Sequence, residues 1–146
     1  MNCLPLYSWI LGSKNSFLKV LQKNDAWYDA GKKFWTQLEA NSFLYVVMFI
    51  TVAALLVYWY YKPFNEMPGR HYKIKYWAYF GIAALVLSFV LTFGYVHVAI
   101  PTSSIEGALL LELKLAFANA LYSAFIYFIF SCVWCKILPT NAYRFI

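Results

Sequence analysis

The residues able to do chemistry in this chain are few, and most lie in one stretch, Leu111 to Cys135 (LELKLAFANALYSAFIYFIFSCVWC), which is otherwise apolar. At about 100° per residue, Glu112, Ala116, Asn119, Ala120, Ser123 and Ala124 return to one side of a helix, because steps of four, seven and eleven nearly complete whole turns. Ala116, Ala120 and Ala124 repeat every four residues, the small-x-x-x-small pattern that lets membrane helices approach closely. The polar members can hydrogen-bond to neighbouring helices of one chain or of an oligomer. Repeated around an oligomer axis, Glu112 would instead draw cations to a pore mouth above a narrow polar path. Side-chain hydrogen bonds inside membranes are worth only about 0.6 kcal/mol on average, so close packing supplies most of the cohesion on either reading.

A similar stripe precedes it. Ala84, Ser88 and Thr92 stand at spacing four with Gly81 nearby, giving a second small, polar helix face. His97 follows, with no carboxylate or second His close in sequence, and reads as an interfacial polar residue. Cys132 and Cys135 share a helix face at i and i+3, a spacing that can exchange electrons or bind metal. Over those four residues the chain resembles the helical membrane quinone reductases that generate disulfides. That family implies four spans and a second cysteine pair, whereas Cys3 is the remaining cysteine here, so buried thiols acting as small apolar packers are the simpler reading.

The elements that position these residues follow from composition. Of the 146 residues 63% are apolar and 12% charged, against about 25% charged in a soluble domain, which makes this an integral membrane chain. Three runs reach the roughly 20 apolar residues that a hydrocarbon core of about 30 Å requires: Ser42 to Tyr61, Trp77 to Ile100, and one within Leu109 to Leu138. The fold class is therefore all-α, with three transmembrane helices in residues 42–146 preceded by an amphipathic helical region in residues 1–41. Aromatic belts end span one (Tyr58 to Tyr61) and open span two (Tyr72, Tyr76, Trp77, Tyr79, Phe80), and Pro63 is expected to stop the first span. Ser103 and Glu106 have capping-box spacing, which places the start of the third helix near Ser104 and its end at Leu138, before Pro139. The opening Met1 to Gly12 is too short and too Pro-interrupted for a signal peptide, so the first span is expected to serve as the targeting signal.

Ahead of the first span, Phe17, Val20 and Leu21 form one apolar face, and Trp27, Phe34, Trp35 and Leu38 a second, edged by Lys32 and Lys33. Such a face suits the headgroup boundary or a partner protein. The 62–75 loop contains the turn signal Pro68-Gly69 and is basic, through Lys62, Arg70, His71, Lys73 and Lys75. With the lysines beside the spans, the net charge of +6 points to anionic headgroups and not to nucleic acid. Lys and Arg balance on the two sides of the membrane in total. The local density of the first loop leans towards an external N-terminus.

The sequence carries no Gly-rich phosphate loop, nucleophile elbow, metal quartet or paired carboxylates at active-site spacing. It implies no metal or cofactor. The expectation is a non-enzymatic, multi-pass subunit of the plasma (inner) membrane that oligomerises or anchors a larger assembly, with lipids, further copies or other subunits as partners. A small homo-oligomeric channel or membrane-disrupting effector lined by the third helix is the alternative, and a thiol-redox enzyme a weaker one.

Overall fold

The computed structural model describes residues 2–67, 73–100, 105 and 107–137. Every regular element among them is helical: a 3-10 turn at Leu4–Tyr7, then α1 (Ser8–Leu11), α2 (Lys14–Leu21), α3 (Asp25–Trp59), α4 (Ile74–Ala99) and α5 (Ala108–Ile137). The Arg70–His71 part of the basic loop, Pro68-Gly69, Tyr72, the Ser103–Glu106 capping pair, Ser104, Leu138 and Pro139 lie outside the described residues.

Three helices are long and apolar enough to cross a membrane: α3 with its C-terminal extension, α4 and α5. Charge marks out the same stretch on each. No Asp, Glu, Lys or Arg lies between Glu39 and Lys62, between Lys75 and His97, or between Lys114 and Lys136. At about 1.5 Å per residue these stretches run about 33–35 Å, the thickness of a hydrocarbon core and its edge. Glu39, His97 and Lys114 thus mark one membrane face, and Lys62, Lys75 and Lys136 the other.

The first span and the amphipathic piece before it form a single helix. The side chain of Asn24 caps α3 by accepting from the Ala26 N–H, and no Gly or Pro interrupts the chain between Gly31 and Pro63. One buried stripe, Gly31, Phe34, Trp35, Leu38, Ser42, Tyr45, Phe49, Ala53 and Val57, runs the length of it, so packing gives no reason to break at residue 42. Pro63 does not end this helix at once. Tyr60–Phe64 continues as a wider π turn, in which Pro63 supplies no N–H, and the Asn65 side chain closes the turn by donating to the Tyr60 carbonyl.

The apolar faces of the tail cover each other in part, because Val20 and Trp27, expected on those faces, point outward and stay exposed. α2 is capped by Ser13, whose hydroxyl accepts from the Ser16 N–H, and it buries Leu18 and Leu21 against α3 at Gly31, where a Cβ would overlap Leu21 Cδ1. Phe17 packs on the rings of Phe34 and Trp35. The result is a helical knob on the Glu39 side of the membrane, with Lys19, Lys23, Lys32 and Lys33 exposed on it.

α4 and α5 form an antiparallel hairpin, the most extensive packing in the molecule. Ala84, Ser88, Thr92 and Val96 of α4 are fully buried at spacing four, and Gly81 lets the Tyr127 ring approach so closely that a Cβ there would stand 3.3 Å from it. α5 starts at Ala108 because Gly107 adopts φ +79°, a left-handed conformation that does not propagate a helix. At 30 residues α5 is about 45 Å long, so it overhangs the core.

Candidate functional site

Five of the polar residues singled out on α4 and α5 converge inside the chain. Ser88, Thr92, Glu112, Asn119 and Ser123 are each fully buried, and Ala116 and Ala120 lie beside them; Ala124 is half-buried. The face they form meets α3 and α4 of the same chain.

Asn119 is the junction. Its amide nitrogen donates to Thr92 Oγ1 at 2.8 Å and to the Tyr45 carbonyl at 3.1 Å, while its Oδ1 accepts from the Tyr7 hydroxyl at 2.6 Å. One side chain thereby ties α4, α3 and the N-terminal segment to α5. The Tyr7 side chain is fully buried, so its hydroxyl donates to Asn119 away from water. Ser88 donates to the Asn119 carbonyl at 3.3 Å, and Ser123 to the Phe49 carbonyl at 3.4 Å. Hydroxyls that bond backbone carbonyls across an interface hold helices together at close range without offering a reactive group.

Deeper in the bundle the same stripe continues as Tyr127, Ser131 and Cys135. Tyr127 donates to the Trp77 carbonyl at 3.0 Å and Trp77 Nε1 to Ser131 Oγ at 3.1 Å. The buried Cys135 thiol lies 3.2 Å from the Tyr61 hydroxyl, and Cys132 is half-buried on α5; no disulfide joins cysteines among the described residues. No group of three or more His, Cys, Asp or Glu that could hold a metal ion occurs among the described residues.

At the membrane edge the structure makes a pair that sequence spacing did not announce. Glu112 is fully buried, and its Oε2 stands 3.0 Å from His97 Nδ1, whose side chain is about half exposed and stacks on Phe93. Glu112 Oε1 has no hydrogen-bond partner among the described residues. A signal for this pair exists. In an antiparallel hairpin, residues at comparable distances from the connection face each other, and His97 and Glu112 stand so on either side of the α4–α5 connection. No such signal exists for Tyr7, which reaches Asn119 from the far end of the chain.

Among the surface residues, Lys32, Lys33, Lys62, Lys73 and Lys75 are exposed and Trp27 is partly so, with Lys75 Nζ 5.2 Å from the centre of the Tyr76 ring. Trp35 lies inward, 4% exposed, donating to Glu39 Oε1 at 2.9 Å. Comparison with protein-family models, with curated proteins and with solved structures gives no match to this chain.

Proposed function

We propose that this chain is a non-enzymatic subunit of the plasma (inner) membrane that holds a larger assembly there, as one copy or several. The observation that supports this reading is the continuity of α3: the water-side knob and the first span are one helix, buttressed by α2 over its first turns. Whatever grips the knob is held at a fixed height and rotation relative to the bundle. The small and polar faces of α4 and α5 are engaged within the chain, so contacts with other membrane subunits fall on bulky outer residues such as Phe43, Val47 and Val86.

A second reading draws on Glu112. A buried carboxylate at the membrane edge, heading a polar stripe along α5, is an arrangement that an ion path also uses.

One experiment separates the two: native mass spectrometry of the protein purified gently from its own membrane, with and without Lys32→Glu and Lys33→Glu. The anchoring reading expects stoichiometric larger subunits that the charge-reversed variant loses. A ring built purely of 17.0 kDa chains, unaffected by the two changes, overturns it and supports the ion-path reading.

A further inference from the structure

The described chain before α2, residues 2–13, carries no charged side chain; the first charge is Lys14. This segment is too short to cross a bilayer, and its two ends are fixed at one membrane face. The Cys3 N–H donates to Ser42 Oγ at 2.8 Å, and Lys14 Nζ lies 3.8 Å from Glu39 Oε2, so both ends sit beside the Glu39–Ser42 turn of α3.

Between those ends the segment dips inward. Tyr7 reaches Asn119, and the Tyr122 hydroxyl donates to the Leu6 carbonyl at 2.6 Å and accepts from Trp9 Nε1 at 2.8 Å. Tyr122 stands near the midpoint of α5. Measured from Lys114, its Cα is about 12 Å into the charge-free stretch, and that of Asn119 about 8 Å, at about 1.5 Å per residue. However the 45 Å helix is slid along the membrane normal, a core of about 30 Å still contains its midpoint.

The backbone is equipped for that depth. Irregular chain survives in hydrocarbon where its polar groups are satisfied by protein. Asn2 Oδ1 accepts from the Leu4 N–H, Pro5 brings no N–H, the Leu6 N–H donates to the Cys3 carbonyl, and the Ser8 hydroxyl donates to the Pro5 carbonyl. Gly12, at φ +76°, then turns the chain back towards the surface, where Ser13 caps α2. Leu4, Tyr7 and Leu11 are buried against the bundle, whereas Leu6 (51%) and Trp9 (58%) face outward at the depth of Tyr122.

We infer that residues 2–13 form a re-entrant element seated in one leaflet, with Leu6 and Trp9 in contact with lipid acyl chains. The membrane protein thus presents four packed segments to the leaflet on the Glu39 side and three helices to the other.

The test places a nitrobenzoxadiazole label at Leu6→Cys, Ile82→Cys and Lys23→Cys in turn, with Cys3, Cys132 and Cys135 replaced by Ala, in phosphatidylcholine vesicles with or without brominated acyl chains. The label at position 6 is expected to be quenched by bromolipid to the extent seen at the lipid-facing position 82. Its quenching by aqueous iodide should be several-fold weaker than at position 23. Iodide quenching equal to that at position 23 overturns the re-entrant assignment. A label shielded from both quenchers means that protein, such as a second copy, covers this face, and overturns the acyl-chain contact. Should the cysteine-free background fail to fold, Trp9→Phe in the otherwise native chain gives the same reading: the bromolipid-quenchable share of tryptophan emission falls if Trp9 meets lipid and is unchanged if it does not.

Discussion

An asparagine amide offers two donors and an acceptor, and at Asn119 all three are used, each towards a different segment. Individual bonds of this type are weak in membranes, about 0.6 kcal/mol on average and about 1.7 at most. Three that share one rigid side chain act together, and removing it also strands the Tyr7 and Thr92 hydroxyls. Asn119→Ala is therefore expected to cost about 2 kcal/mol, and Tyr7→Phe about 1 kcal/mol, in the unfolding of detergent-solubilised protein. Because the two groups touch, their double mutant should cost less than the sum. Strict additivity would show that the 2.6 Å bond contributes nothing to stability.

At the scale of elements, Gly31 decides whether α2 can lie on α3. Alanine there would gain about 0.8–1 kcal/mol of helix propensity, but its Cβ would overlap Leu21, and overpacking a tight contact costs about 1–3 kcal/mol. The clash outweighs the propensity, and a branched side chain makes it worse. Gly31→Val should lift α2, seen as faster cleavage by trypsin after Lys19 and Lys23 with the spans still intact. Wild-type cleavage rates in Gly31→Val would mean that the knob does not depend on this contact. The same element shows how two apolar pieces read from sequence meet: Phe17 and Leu21 on one pack on Gly31, Phe34 and Trp35 on the other, while Val20 and Trp27 stay exposed.

For the whole molecule, the charge-free stretches set how it sits in the membrane. Val86 lies midway between Lys75 and His97 on α4 and is 49% exposed, while Val20 on the knob is 64% exposed. Similar exposure, different solvent: a lysine at the bilayer centre costs about 2.5–3.5 kcal/mol on insertion scales, and one in water costs close to nothing. Val86→Lys is expected to lower membrane insertion markedly, and Val20→Lys to leave it unchanged, in a glycosylation-mapping assay. Equal effects at the two positions would refute the assignment of the knob to water. The dense lysines at the Lys62–Lys75 end and those on the knob oppose each other across the membrane, which is why counting them leaves orientation so finely balanced.

The sequence by itself determined that the chain is all-α, that three helices are long and apolar enough to span a membrane, and which faces of α4 and α5 are small and polar. Those properties reside in local composition and in the 3.6-residue period, and both can be read along a single strand of text. Tertiary structure alone decided what those faces touch. That Asn119 meets Tyr7, that Glu112 meets His97, that Trp35 turns inward and that residues 2–13 fold back against α5 all depend on contacts between segments distant in sequence. A helix period says which residues share a side but not which neighbour lies there, because the same small, polar stripe is satisfied equally well by another helix of its own chain or by a second copy.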